Sequence, residues 1–196
     1  MSKTRLLIIG AGGHGRSVAD AAELSGTFEL VGFLDDALRI GEKVLMGSVL
    51  GAIGNLSQLD SYRVGCDQAI VAVGNNTVRE KLMQQLIDAG FDMATVIHPR
   101  AFVSPSAVVR IGSAVMAGAI VGTEAQLGVG VIVNCGAVID HHAKVGDFGH
   151  LGVSACMAGG AILGPSAWLQ AGCALGYGVE VPAGAVLTPG TALAAS

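Results

Sequence analysis

The chain has 196 residues, of which 52% are hydrophobic and 13% are charged, and its formal net charge at pH 7 is −4. This negative balance, without any basic run, argues against a nucleic-acid partner. No apolar stretch reaches the roughly 20 residues that a membrane span needs, so none is predicted. The four cysteines have no C-x-x-C spacing, and this usage is typical of a reducing, cytoplasmic setting.

The amino-terminal stretch combines a strand, a glycine-rich turn, a helix and a second strand. A buried strand is predicted over residues 5–10, and it leads into Gly10–Gly15, which fits the G-x-G-x-x-G pattern. The turn opens a helix that reaches about Ser25, and a second strand, about Glu29–Leu34, ends at Asp35 and Asp36. Glycines let the backbone approach a phosphate closely, and a helix N-terminus attracts it. The stretch predicts a site for a phosphate-bearing nucleotide, and it does not single out NAD.

The next elements complete a small α/β domain. A short segment covers about Val44–Ile53, and a strand over Gln68–Val73 ends at Gly74 and Asn75. A last strand, about Met93–His98, leads into the second half of the chain. A unit of this size leaves no room for a second catalytic domain, so it is interpreted as a binding module.

One further helix is predicted between these two strands, over about Thr77–Ala89. Thr77 and Glu80 have the spacing of a capping box at its start, and Gly90 is the expected terminator. A single apolar stripe is expected along it, formed by Val78, Leu82 and Leu86.

The second half of the chain is a six-residue repeat. Residues 101–196 divide into sixteen consecutive hexads, each with Val, Leu, Ile or Met at its third position and mostly small residues at its first. This period fits neither a helix nor an alternating strand, and it predicts a solenoid with one short strand and one turn per hexad. Glycine often follows the aliphatic residue, as in Val121-Gly122 and Leu163-Gly164, and is expected to give the corners backbone freedom.

The solenoid is poor in charge and carries three histidines of interest. Arg110 and Lys144 are its only Lys or Arg residues, so part of its surface is expected to be buried against other subunits. His141, His142 and His150 have three open interpretations: exposed turn residues, metal ligands, or a general base for acyl transfer. A metal site needs three convergent ligands, whereas a single positioned imidazole suffices for proton removal near neutral pH.

The whole pattern resembles a known enzyme group. The leader Gly10–Gly15, the strand end Phe33–Asp36 and the hexads with Ile139–His141 are together similar to bacterial sugar acetyltransferases of the NeuD/PglD type. The resemblance implies a Rossmann-like α/β domain over residues 1–98 and a left-handed parallel β-helix over residues 99–196. It implies a homotrimer that uses acetyl-CoA, without a metal, to N-acetylate the 4-amino group of a UDP-linked amino-dideoxy sugar.

The resemblance also assigns roles to individual residues. It makes His141 the general base and Asn134 an active-site asparagine, with Asp140 and His142 on either side of the base. It matches two positions to acetyl-CoA binding, His150 and Gly159. Seven positions match the nucleotide-sugar site: Gly12, Gly13, His14, Asp35, Asp36, Gly74 and Asn75.

Two departures from the family pattern leave questions open. The family often has a carboxylate directly after the base, where this chain has His142, so the group that polarises the base is not identified. The usual carboxy-terminal Gly-Val-Pro-Ala segment is absent from Thr191–Ser196, which leaves part of the coenzyme A site open. The alternatives are O-acetylation of sialic acid, an NAD(P)-binding protein with a solenoid for trimerisation, and a purely structural trimer.

Overall fold

A computed structural model describes residues 2–54 and 59–195. The chain divides into two compact units, Met1–Val96 and Ile97–Ser196. No helix in the described residues has the length and apolar character needed to cross a membrane.

The first unit is a parallel α/β sheet with one antiparallel edge hairpin. Its elements are β1 (Thr4–Ile9), α1 (Gly13–Leu24), β2 (Phe28–Leu34), β3 (Lys43–Val44), β4 (Gly47–Gly51), α2 (Leu59–Gly65), β5 (Gln68–Val71), α3 (Asn76–Asp88) and β6 (Asp92–Met93). The strand order is β3-β4-β2-β1-β5-β6, and only the β3–β4 pair is antiparallel. β1 is central and its apolar residues are buried, which explains its unbroken hydrophobic run.

The strand order places a binding crevice at the carboxyl ends of the strands of this sheet. The chain passes from β1 to β2 on one side and later returns to β5 on the other side of β1. At such a reversal the loops that leave the neighbouring strands diverge, and ligands bind outside the carboxyl ends of the strands. The glycine turn after β1, Asp35 after β2 and Gly74 after β5 all lie at this edge.

The start of α3 differs from the predicted capping box. The N-cap is Asn75, whose side-chain oxygen accepts a hydrogen bond from the Val78 amide at 3.0 Å. Thr77 therefore lies inside the helix, and the prediction of a Thr77–Glu80 box is wrong because Asn75 already caps it. The end of α3 is as predicted, since Gly90 has a φ of +81° and closes the last turn.

The buried face of α3 also differs from the predicted stripe. Arg79, Met83 and Leu86 face the core, whereas Val78 is 43% exposed. The reason is polar: the Arg79 guanidinium donates to the carbonyl oxygens of Val73 (3.0 Å) and Gly74 (3.3 Å). A buried cation satisfies the carbonyls after β5 and so fixes the rotation of the helix.

Several element boundaries differ from those predicted from the sequence. The predicted strand over Met93–His98 is two short strands in different sheets, β6 and β7 (Val96–Ile97). β5 ends at Val71 rather than Val73, and α2 was not predicted.

The second unit has two-residue strands in three parallel sheets. The strands after β7 are β8 (Phe102–Val103), β9 (Val108–Val109), β10 (Ala114–Val115), β11 (Ile120–Val121), β12 (Gln126–Leu127), β13 (Ile132–Val133), β14 (Val138–Ile139), β15 (Lys144–Val145), β16 (His150–Leu151), β17 (Cys156–Met157), β18 (Ile162–Leu163), β19 (Trp168–Leu169), β20 (Ala174–Leu175), β21 (Glu180–Val181), β22 (Val186–Leu187) and β23 (Ala192–Leu193). Each pairs with the third strand along the chain, as in Val138 with Cys156, so three hexads make one 18-residue coil.

The interior of the solenoid follows the repeat. The aliphatic third positions and the small first positions form one buried cluster, which includes Ala137, Ile139, Ala161 and Leu163. Neighbouring coils therefore stack like residues on like, and residues 18 apart occupy the same column along the prism.

The glycines at the corners act differently from the prediction. Those after the aliphatic residue, such as Gly122 and Gly164, do not have positive φ angles; they are small because a Cβ would meet the backbone of the next coil within 3.1 Å. The left-handed turn lies instead at the sixth position of the hexad. Most residues there are glycines, and the exceptions with positive φ are Glu124, His142, Phe148, Ser154 and Ser166.

Candidate active site

The first unit contains a cleft of about 350 Å³ at the carboxyl ends of its strands. Six of the seven predicted nucleotide-sugar residues line it: Gly12, Gly13, His14, Asp35, Asp36 and Gly74. A Cβ at Gly12 or Gly13 would meet no heavy atom within 4 Å, so the turn is open toward the cleft. Gly12 is also the N-cap of α1 and supplies no side chain, which leaves the first amides of that helix to a bound anion.

The Asp35 side chain, at the end of β2, forms a hydrogen bond with the glycine turn. One carboxylate oxygen accepts from the Ala11 amide at 2.7 Å, and the other accepts from Ala37 (2.9 Å) and Leu38 (3.1 Å). Partial burial raises the pKa of this carboxyl, but the three amides and the nearby Arg16 outweigh it and hold the pKa below its usual value. Asp35 thus shapes the cleft whether or not it also contacts a ligand.

Asp35→Asn should destabilise the first unit. The substitution removes the charge that three amides solvate, and we expect a loss of about 1–3 kcal/mol at pH 7. Because the pKa of Asp35 is lowered in the folded protein, its stabilisation is present above the unfolded pKa and is lost as the pH falls through the folded value. Urea unfolding followed by circular dichroism should show the two proteins converging below the ordinary aspartate pKa of 3.8. A difference that persists undiminished in acid would contradict the charge argument; Asp36→Asn, on the exposed neighbour, is the control.

His14 is neutral in this cleft. Burial, together with the charge of Arg79, lowers the pKa of His14 to about 4. Its buried Nε2 atom has no hydrogen-bond partner among the described residues. Burial also lowers the pKa of Arg79, to about 10, so that guanidinium stays protonated at neutral pH. A neutral imidazole beside a glycine turn offers one further polar group to a ligand of the cleft.

Asn75 and Gly74, which were predicted to bind the nucleotide sugar, both form hydrogen bonds with α3. Asn75 does not line the cleft, and its side-chain oxygen is occupied by capping α3. The carbonyl oxygen of Gly74 accepts from Arg79. Arg79 was not predicted from the sequence, because the apolar stripe expected along α3 leaves it out.

The predicted base, His141, lies in a column of residues spaced by one coil. Gly159 follows it by 18 residues and Tyr177 by 36, so the three occupy the same corner of successive coils. A Cβ at Gly159 would come within 2.6 Å of Nε2 of His141, so the imidazole fills the space that the missing side chain leaves. The Tyr177 ring lies beyond, with its centroid 6.3 Å from that of His141. The Cε1–Nε2 edge of the His141 ring therefore lies beside Gly159.

The second ring nitrogen of His141 is held by His142. The two Nδ1 atoms are 3.0 Å apart, and Nε2 of His142 lies 2.9 Å from a carboxylate oxygen of Glu124. Asp140 does not hydrogen-bond the ring: its Oδ2 atom is 3.8 Å from Nε2 of His141, and its Oδ1 atom accepts from the His141 amide. Glu124 and Tyr177 were both missed from the sequence, although the 18-residue coil would have pointed to them.

The remaining predicted residues lie elsewhere in the solenoid. His150 is buried on β16 and stacks on Trp168 of β19, with ring centroids 5.0 Å apart and 10° between the planes. The Asn134 side-chain oxygen accepts from the Cys135 amide at 3.0 Å. In the described part of the chain, no group of three or more His, Cys, Asp or Glu side chains is close enough to hold a metal ion.

Comparison with known proteins identifies the family. Residues 5–86 match the PglD N-terminal domain. Over its whole length the structure is similar to the acetyltransferase domain of PglB from Neisseria gonorrhoeae FA1090, with 35% identity, a TM-score of 0.78 and coverage of 98% of this chain and 97% of that one. The chain belongs to the PglD family of sugar acetyltransferases. The prediction of an α/β domain followed by a left-handed parallel β-helix is thereby confirmed.

Two further relatives of this PglD-family protein have named substrates. GDP-perosamine N-acetyltransferase from Caulobacter crescentus was solved as a histidine-to-alanine variant with CoA and GDP-perosamine; it is 33% identical, with a TM-score of 0.84 and coverage of 97% of this chain and 91% of that one. UDP-N-acetylbacillosamine N-acetyltransferase from Bacillus subtilis (strain 168) is 34% identical over 112 residues, which is 56% of this chain. That match covers 50% of the Bacillus protein's length.

Proposed function

We propose that this protein transfers the acetyl group of acetyl-CoA to the 4-amino group of a nucleotide-linked amino-dideoxy sugar, with UDP as the predicted nucleotide. The observation that carries the proposal is His141, whose Nδ1 is held by His142 while its Cε1–Nε2 edge lies beside Gly159. The relatives named as acting on UDP- and GDP-linked amino sugars favour N-acetylation over O-acetylation of a sugar such as sialic acid.

The chemistry is a direct transfer between two bound substrates. The sugar amine attacks the thioester carbonyl and forms a C–N bond, and the tetrahedral intermediate then expels the thiolate of coenzyme A. Nε2 of His141 takes the proton that the nitrogen must lose, and delivery of that proton to the leaving sulfur completes the balance. Backbone amides at the glycine corner, that of Gly159 among them, are the groups available to stabilise the oxyanion. A neutral base is required, and a histidine near neutral pH supplies one.

The proposal assigns the acceptor to the first unit and the transfer to the second. The cleft at the glycine turn offers open backbone, the N-terminus of α1 and neutral His14, which together suit a diphosphate and its sugar. We therefore assign nucleotide-sugar binding to residues 1–98 and acetyl-CoA binding to residues 99–196. The four cysteines are free, which agrees with the reducing, cytoplasmic setting expected from the sequence.

A homotrimer with coenzyme A in the grooves between adjacent solenoids is part of the proposal. The His141 side chain is 48% exposed in a single chain, whereas a base that works on a thioester benefits from exclusion of water. Apolar side chains that stand exposed on the solenoid, among them Phe102, Val153 and Tyr177, offer the surface for such contacts. A monomer at micromolar concentration with full activity in sedimentation equilibrium would contradict this arrangement.

The activity is tested by thiol release from acetyl-CoA with a panel of acceptors. UDP- and GDP-linked 4-amino-4,6-dideoxy sugars should release coenzyme A and form an amide that mass spectrometry detects. The matched negative controls are the same nucleotide sugars already acetylated at that nitrogen, together with sialic acid as a test of O-acetylation. The proposal would be overturned if none of the nucleotide sugars formed an amide. It would also be overturned if sialic acid were the one acceptor that reacted, by forming an ester.

Gly12→Val tests the assignment of the cleft. A branched side chain would project from the turn into the space where the nucleotide phosphates are proposed to lie. We expect the KM for the nucleotide sugar to rise by roughly 10-fold or more, since about 1.4 kcal/mol of lost binding corresponds to a factor of ten. The KM for acetyl-CoA should stay near its wild-type value. Equal changes in both KM values, or tight NADH binding without binding of UDP, would contradict the assignment.

A further inference from the structure

We propose that Glu124 is a positioning residue for acetyl transfer, which acts through His142 on the base His141. The inference rests on the proposed function of His141. It answers the question raised by the absence of a carboxylate directly after the base, because here the carboxylate comes from the preceding coil.

Three side chains form a continuous chain of contacts at one corner of the solenoid. Glu124 lies 18 residues before His142, at the same hexad position, and its carboxylate is 2.9 Å from Nε2 of His142. Nδ1 of His142 is 3.0 Å from Nδ1 of His141. The far nitrogen of His141, Nε2, lies on the ring edge beside Gly159.

With both rings neutral and Glu124 ionised, this arrangement favours one placement of protons, which the proposal adopts. A carboxylate only accepts, so Nε2 of neutral His142 carries its hydrogen and donates it to Glu124. Nδ1 of His142 is then an acceptor, and His141 donates to it from its own Nδ1. That leaves Nε2 of His141 without a proton, which is the state a general base needs. When Nε2 takes a proton from the substrate, the positive charge stays on His141 and is stabilised by the hydrogen bond to His142, which Glu124 polarises.

Neither backbone geometry nor burial gives a stability reason for this pair of side chains. Glu124 and His142 have φ angles of +57° and +59° at a position that is mostly glycine in this solenoid. Left-handed conformations disfavour residues with a Cβ, so the turn itself does not call for either side chain. The pair is also largely exposed, with Glu124 at 60% and His142 at 61%, and exposed ion pairs contribute little to stability. Fold stability therefore does not account for this pairing.

The test compares Glu124→Gln with Glu180→Gln, a matched change at an acidic residue that is not part of this cluster. Glutamine keeps the size of the side chain and an acceptor oxygen but removes the charge. We expect kcat to fall by roughly tenfold in Glu124→Gln, with both KM values nearly unchanged, as for the loss of part of a general base. Asp140 and Tyr177, the other titratable groups that contact His141 in the described residues, remain in both variants.

Glu124→Gly separates positioning from support of the fold. Glycine relieves the left-handed corner, so the unfolding temperature should be equal to or above the wild-type value, while kcat falls at least as far as in Glu124→Gln. Loss of stability together with loss of activity would overturn the proposal, because Glu124 would then be structural. Unchanged kcat in Glu124→Gln, with active wild-type enzyme, would also overturn it and leave the proposed function intact.

NMR spectroscopy of the histidine rings tests the role of Glu124 without an activity measurement. The chain has five histidines, and ¹⁵N-histidine spectra of the intact protein distinguish their ring tautomers. His142 should carry its proton on Nε2 and His141 on Nδ1, with both signals perturbed by Glu124→Gln and not by Glu180→Gln. A proton on Nδ1 of His142 would overturn the proposal. Absence of acetyl transfer by the wild type would overturn only the proposed function.

Discussion

His141→Ala should lower kcat by roughly 10²–10⁴-fold, the usual contribution of a general base. The amine must lose a proton before the tetrahedral intermediate collapses to the amide, and Nε2 of His141 is the positioned acceptor in the proposed transfer. Both KM values should change little, because this nitrogen is not required for ground-state binding. At 25 °C the lost transition-state stabilisation is roughly 3–5 kcal/mol. Steady-state kinetics of thiol release with the best acceptor of the panel gives both parameters.

Two matched histidine variants check that the right ring was chosen. His142→Ala removes the partner of Nδ1 and should lower kcat by roughly tenfold or more, but less than His141→Ala. His150→Ala removes a buried ring that stacks on Trp168. It should raise the KM for acetyl-CoA or lower the free energy of unfolding, rather than lower kcat. If His141→Ala keeps near wild-type kcat while one of the other two loses it, His141 is not the base.

The sequence predicted the solenoid well because its core is periodic. An aliphatic residue at every sixth position specifies one short strand per hexad, and the structure buries these residues as expected. The handedness came from the family resemblance, since a six-residue period is compatible with either hand. The corner glycines were misinterpreted because the period does not say which position turns left-handed and which approaches the next coil.

The functional corner was only partly predictable from the sequence. His141 was found by its motif, but Glu124 and Tyr177 have no motif of their own. Both follow from the coil length: positions 18 residues apart share a column, which joins Glu124 to His142 and Tyr177 to His141. In the first unit, Arg79 was missed because hydrophobic periodicity gives no weight to the carbonyl oxygens after β5. Because these carbonyl oxygens accept from Arg79, α3 turns Arg79 rather than Val78 toward the core.

Gly159→Ala should lower kcat by roughly 10²-fold, although it adds only one methyl group. That methyl would stand within 2.6 Å of Nε2 of His141 and 3.0 Å of the Tyr177 ring, so the imidazole must move. A displacement of about 1 Å in a catalytic group costs on the order of 10²-fold. The backbone φ of Gly159 is not positive, so alanine is not strained there. Gly172→Asn, at an open left-handed corner where asparagine is tolerated, is the control and should keep normal kcat.

A double-mutant cycle tells whether Gly159 matters through His141 or through its own amide. Alanine retains the N–H that would face the thioester carbonyl, so a loss caused only by the displaced ring should vanish once the ring is gone. We expect Gly159→Ala to lower kcat strongly in the wild type and by less than about twofold in the His141→Ala background, which is the non-additivity of residues in contact. Additive losses would mean that the methyl group disturbs the donor site itself. In that case the space beside the base would not be the reason for glycine at this position.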